Sequence, residues 1–527
     1  MDSPNSLERN VFPRWRTLSK TPSVEIQSSK KQDLPKRPEE RDPLFIAYYE
    51  RWRDDPSLQN AAEVLDLAMS IDRPYLAIGP ASTIAKSDRA MPAVKLLAEK
   101  LLSVSSTTSD PDEAVLPRRD EVGMEIRKCK RRLVEEPRNG LLWLEKGRLH
   151  TLIGDFESAD LALRRAHGCA PDNRFIIRAN ARYLTHRGRA DEALALLRRS
   201  ERLKFDPWVQ SVEIAVSEAM EMSPRSIRWA RANLSSGKLA PEHLSELASA
   251  VGTLELHGGA SKKAKRLFVQ SLLVPTDNAL SQALWARSEM HLKVEVQQSM
   301  LTMNGAFEAR AQSAIENKNW NEAVLNCEKW ACDEPYSIRA AVEGSWISSS
   351  FLWDQEKAIA FCDQGLISNP RSLILLNNKA LSLARSGQLP EATRVLARAM
   401  SLYSSAHEDP FLHATQGLIA FRSGDIEEGR KLYTSSIEKA AEQKMFDAQF
   451  RAYCHWFYEE ARSDTLRAET LQKIVSEIDG EVKRPYVRDL SKEIWSNLKT
   501  RMLAKEFGQQ VVSDSATFPL LQINDNF

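Results

Sequence analysis

The chain has no apolar run near the ~18 residues that a membrane-spanning helix needs, so no membrane span is expected. Cysteine is scarce. Six in 527 residues, irregularly spaced, are too few for a disulfide scaffold and suit a reducing cytosol, so a cytoplasmic location is expected. The opening MDSPNSLERN lacks a basic start followed by an apolar core, which argues against a secretory signal. Arg14, Arg16 and Lys20 hint at a transit peptide, but Asp2 and Glu8 oppose it. Net charge is only +1, so the total makes no demand for nucleic acid or an anionic membrane.

Catalytic signatures are missing too. There is no Gly-rich phosphate loop, no HExxH and no paired CxxC. Cys327 and Cys332 stand five apart and do not share a helix face well. Cys454-His455 is an isolated pair, and the nine histidines show no ligand spacing. No catalytic residue, metal or cofactor is therefore expected. Residues 43–117 show no strand–loop–helix motif that would mark a catalytic domain.

What is present is a period. Gly154-Asp155-Phe156 and Ala159 recur 34 residues later as Gly188-Arg189-Ala190 and Ala193. A 34-residue offset is the spacing of a helix–turn–helix repeat. The first unit runs from Gly140 to about Asn173, with Trp143, Gly147, Gly154, Ala159, Leu163, Ala166 and Pro171 at positions 4, 8, 15, 20, 24, 27 and 32. Small Gly147 and Ala159 suit a close helix crossing. Gly154 permits a tight turn, Trp143 and Leu163 fill the space between helices, and Pro171 ends the unit. This pattern resembles the tetratricopeptide repeat. The resemblance covers about 140–440, with units starting near 140, 174, 245, 304, 339, 373 and 410. It implies an all-α, right-handed superhelix of tetratricopeptide-like helix–turn–helix repeats with helical caps. Ala181 departs from the glycine of position 8. Trp353-Asp354 replaces the turn glycine, and Gly429 stands where alanine is usual.

Around the repeats, 1–41 reads as a disordered tail in which Phe12, Trp15 and Leu18 could form a docking anchor. Residues 43–117 read as an N-terminal helical region and linker, with 74–80 irregular and 103–117 a linker by composition. An N-terminal repeat segment, 118–278, and a C-terminal one, 304–442, meet at an irregular joint, 279–303. Residues 443–507 are expected to cap the array, and 508–527 to form a loose tail. Charge is uneven: residues 118–270 hold 29 Lys+Arg against 20 Asp+Glu, and 271–527 hold 28 against 34.

Stacked helical repeats build long binding surfaces. The resemblance places a concave groove on the first helix of each unit, at positions 2, 5, 9, 12 and 13. The candidate residues are Arg148, Arg178, Arg182 and His186, then Glu308, Gln312 and Glu316, then Glu343, then Asn377 and Arg385, then Phe411, Phe421 and Arg422. Arg178 and Arg182 are i, i+4 and share a face. A groove basic at its N-terminal end and acidic in the middle would orient an extended peptide. The Lys/Asn carboxylate clamp of chaperone-binding members is missing, since Leu144 holds its position. The expected function is a non-catalytic interaction scaffold or regulatory subunit. The alternative is a nucleic-acid-binding repeat protein using basic 118–270, where Lys262, Lys263, Lys265 and Arg266 add a cluster without aromatic interleaving. The segments DPWVQSVEIAVSE, LSELASAVGTLELHGG and PTDNALSQALWA also resemble bacterial repeat proteins encoded beside a PIN-like nuclease, which implies such a nuclease as partner.

Overall fold

The computed structural model describes residues 43–70, 74–91, 94–95, 98–99, 101–102, 119–303, 305–402, 404–463, 468–484 and 487–503. The expected N-terminal tail with Phe12, Trp15 and Leu18, the 103–117 linker and the 508–527 tail lie outside the described residues. Among the described residues every regular element is helical.

The first repeat shows why its sequence folds as it does. Asn139 caps the Gly140–Leu152 helix by accepting from the Leu141 and Leu142 amides, both at 3.1 Å. Asp155 caps the Phe156–Cys169 helix, accepting from Ser158 N at 3.1 Å. Between them Gly154 turns the chain with φ 75°. A Cβ on Gly147 would stand 2.9 Å from Leu163, so the two helices can cross this closely only over a hydrogen.

The same left-handed residue recurs at the turns of later pairs. Glycine supplies it at Gly188, Gly259, Gly387 and Gly424. Glu221, Lys318 and Trp353 supply it at φ 54°, 56° and 58°, where a side chain makes the conformation costly. Trp353 follows a π-helical turn, Ser348–Leu352, so the replacement of the expected glycine changes the helix leading into it as well.

The described chain divides into two compact units. The first comprises residues up to Glu316 together with Glu328–Tyr336; the second comprises Asn317–Cys327 and Ser337 onward. The division runs through the Trp320–Asp333 helix. Within the first unit, Arg127 donates to Asp66 at 2.8 and 3.1 Å, and Arg131 reaches Asp66 at 3.5 Å. The basic Arg119–Glu135 helix is thereby tied to the Leu58–Ser70 helix.

One sequence expectation needs correction. The stretch 74–80 is helical, as a 3₁₀ turn Pro74–Ala77 running into the Ile78–Ala85 helix. Pro80 lies in the first turn, where an amide has no helical acceptor to lose. The expected joint at 279–303 lies inside the first unit. Asp277–Ser288 is a regular helix there, and Leu280, Ala283, Leu284, Leu292, Val294 and Leu301 carry one apolar core through the irregular stretch that follows. At the C-terminal end, Phe450, Tyr453, Trp456, Phe457 and Tyr458 are buried on the Phe446–Arg462 helix, with the Ala468–Glu481 and Asp489–Leu503 helices after it.

Glu221 is exposed and makes no side-chain hydrogen bond among the described residues, so its turn offers a clean test. Glu221→Gly is expected to stabilise the chain by about 0.5–1 kcal/mol, read as a higher denaturation midpoint in urea. A lower midpoint would mean that the backbone there is not left-handed.

Candidate functional site

The first helices of successive pairs lie side by side in each unit. In the first unit the row is Gly140–Leu152, Arg174–His186, Pro207–Ala219, Pro241–His257 and Asp277–Ser288. In the second it is Ile338–Ile347, Leu373–Arg385, Pro410–Arg422 and Phe446–Arg462.

Along the first row the expected basic residues are occupied by neighbours. Arg148 is buried and grips Glu145 with two bonds, 2.6 and 2.9 Å. Arg178 is ion-paired with Glu246, and its guanidinium faces the Trp208 ring at 4.8 Å. Arg182 is buried over the ring of Tyr336 at 5.4 Å, and His186 meets the same ring edge-on at 5.6 Å. Tyr336 is fully buried and joins the core of Leu144, Leu149, Leu152 and Tyr183. The row that sequence assigned to a partner therefore holds an aromatic side chain of this same chain.

Carboxylates take up other basic groups of 118–270. Arg174 and Arg202 meet at Asp206, Arg189 binds Asp160 and Glu192, and Arg231 and Lys263 share Glu255. Glu213 was missed by sequence reading. It is fully buried and accepts from Arg198, Ser217, the amides of Arg225 and Ser226, and the Ser226 hydroxyl, at 2.8–3.1 Å. These bonds fix the loop before the Ile227–Ser235 helix. Of the expected acidic residues, Glu308 is buried, Gln312 donates to it at 3.4 Å, and Glu316 is ion-paired with Arg287.

Along the second row the expected residues meet other neighbours. Glu343 is half-buried on the Ile338–Ile347 helix. Asn377 accepts from the Thr415 hydroxyl at 2.7 Å. Arg422 binds both oxygens of Glu459, at 2.7 and 2.9 Å, and Phe421 is buried beside Tyr433. Phe411 keeps 37% of its surface exposed, with the Arg451 guanidinium 5.3 Å from its ring. Arg385 donates to the Ser349 carbonyl at 3.0 Å and bonds His455 Nδ1 at 3.2 Å. Its guanidinium faces the Trp353 ring at 4.7 Å, and that of Arg501 faces the same ring at 4.2 Å. Burial, with the charges of Arg385 and Arg451, pushes the His455 imidazole well below its ordinary range.

Sequence reading found Arg385 and Phe411 but missed Trp353, Arg451 and His455 as parts of one cluster. The visible signal was Trp353 at a glycine position. Among the described residues no group of three His, Cys, Asp or Glu is placed to hold a metal ion. No helix there is long and apolar enough to cross a membrane.

No family model matches the chain, and no curated protein matches it. Solved structures do match. One is the APC/C hetero-tetramer Cut9–Hcn1, 12% identical over 88% of this chain and 90% of that chain, with TM-score 0.34. Another is Naa15/Naa10 bound to HypK-THB, 12% identical over 84% and 79%, with TM-score 0.24.

Tyr336→Ala is expected to cost about 3–5 kcal/mol, measured by chemical denaturation, because it opens a cavity in a closed core. A cost under about 1 kcal/mol would show that Tyr336 does not fill the first row.

Proposed function

We propose that the chain is a non-catalytic scaffold or regulatory subunit that binds an extended segment of a partner protein along the first-helix row of its second unit. The observation that carries this reading is the contrast in occupancy. In the first-unit row Tyr336 covers Arg182 and His186, whereas the second presents Phe411, 37% exposed, close to Arg451 on the adjacent helix. An exposed aromatic beside a cation is the kind of anchor that dominates interface energetics. Asn377, Arg385 and Arg422 from the expected groove lie on the same row and supply its polar side, with Glu343 at its start.

The basic half of the chain supports a nucleic-acid reading less well. Many of its basic groups are held in ion pairs with Asp66, Asp160, Asp206, Glu213, Glu246 and Glu255. A PIN-like nuclease, suggested by sequence resemblance, is the first partner to try.

The test is capture by the tagged, full-length chain followed by mass spectrometry, comparing wild type with Phe411→Glu and with nuclease-treated extract. A defined protein set is expected with wild type, depleted tenfold or more by Phe411→Glu and unaffected by nuclease. Equal capture by Phe411→Glu would overturn the placement. Release by nuclease, with salt-sensitive oligonucleotide binding by the pure chain, would replace the reading with a nucleic-acid one.

A further inference from the structure

The donors around Arg385 outnumber the acceptors that meet them. The Arg385 guanidinium donates to the Ser349 carbonyl at 3.0 Å, to the Ser349 hydroxyl at 3.3 Å and to His455 Nδ1 at 3.2 Å. All three acceptors are neutral. Arginine can only donate, so Nδ1 must accept, and the His455 proton sits on Nε2. No carboxylate of the described residues is bonded to Arg385. Glu459, whose charge reaches it, has both oxygens taken by Arg422.

Three N–H groups here are buried with no hydrogen-bond acceptor: Arg385 Nε, Arg451 Nε and Trp353 Nε1. Arg451 lies one helical turn before His455 on the same face, with Asp447 3.5 Å from its Nε. Buried donors without acceptors, and a buried cation without a counter-ion, are both unfavourable. The backbone is unusual at the same place. The π-helical turn Ser348–Leu352 and the left-handed Trp353 are features that proteins keep mainly where function requires them. Arg385, Arg451, His455 and Trp353 are half-buried as residues, while the three open N–H groups are themselves buried.

We propose that Arg385, Arg451, His455 and Trp353 form a binding site for a carboxylate, carried by an acidic side chain of the partner segment on this row. The site rests on the scaffold reading and gives it a chemistry: an Asp or Glu of the partner enters among the open donors. His455 adds a donor through Nε2 while remaining neutral. The Trp353 ring holds the Arg385 fork in plane, which favours the two-pronged geometry of a carboxylate.

The test is thermal melting of the full chain with hexaglutamate, with hexalysine as control and inorganic phosphate as a third arm, in wild type and Arg385→Met. Saturating hexaglutamate is expected to raise the wild-type melting temperature by about 2 °C or more, and hexalysine to leave it unchanged. Arg385→Met is expected to weaken hexaglutamate binding tenfold or more without lowering the melting temperature of the free chain, because methionine fills the stem's volume and removes a buried charge. An unchanged hexaglutamate response in Arg385→Met would overturn the site. So would a lower melting temperature of free Arg385→Met, which would mark the guanidinium as a structural strut. A shift with phosphate and none with hexaglutamate would overturn the assignment to an acidic side chain. Loss of the carboxylate response with partner capture intact removes this site alone. Capture absent from wild type with the carboxylate response intact removes the scaffold reading instead.

Discussion

One residue in the left-handed backbone region at the turn inside a helix pair is the constraint on which the array depends. It reverses the chain in few residues and lays the second helix against the first. Gly147 over Leu163 and Gly417 over Tyr433 show how close that approach is, since a Cβ at either would stand under 3 Å from the opposing side chain. The first helices of neighbouring pairs are then left side by side as a row. Glycine meets the constraint without strain. Where Trp353 meets it, the strain is retained and the preceding turn widens to a π-helix.

Arg178 and Arg385, each on its own row and facing a tryptophan, are paired differently. In the first unit, charge is closed off internally by Arg178 with Glu246, by the five bonds to Glu213 and by Arg182 over Tyr336. Unmet groups remain in this row as well, since Arg178 Nε and Trp208 Nε1 beside it are buried without an acceptor among the described residues. In the second unit, Arg385 bonds only neutral acceptors, and three neighbouring N–H groups go unmet.

The repeat was legible because its signals are local. Gly154, Gly188, Gly387 and Gly424 occupy the turns that their spacing predicts, and Trp353 stands in the left-handed position where sequence showed a missing glycine. The caps Asn139 and Asp155 are equally local. The Arg178–Glu246 and Arg198–Glu213 pairs were not legible, because each partner lies on another helix and only the fold brings it near. Tyr336 is the extreme case: it reaches Arg182 and His186 from far along the chain, and no local pattern marks it as their occupant. The stretch 279–303, expected as an irregular joint, shows the same limit of local signals. Its turn signals are real, but Leu292, Val294 and Leu301 keep the core continuous through it.

The central claim is that the partner lies on the second-unit row, since Tyr336 covers Arg182 and His186 in the first. Hydrogen exchange of the full chain, free and partner-bound, tests it most directly. Added protection is predicted in Leu373–Arg385, Pro410–Arg422 and Phe446–Arg462, with none in Arg174–His186. Protection confined to Arg174–His186 would contradict the account, since a partner would then have displaced Tyr336 from the row that the structure shows occupied.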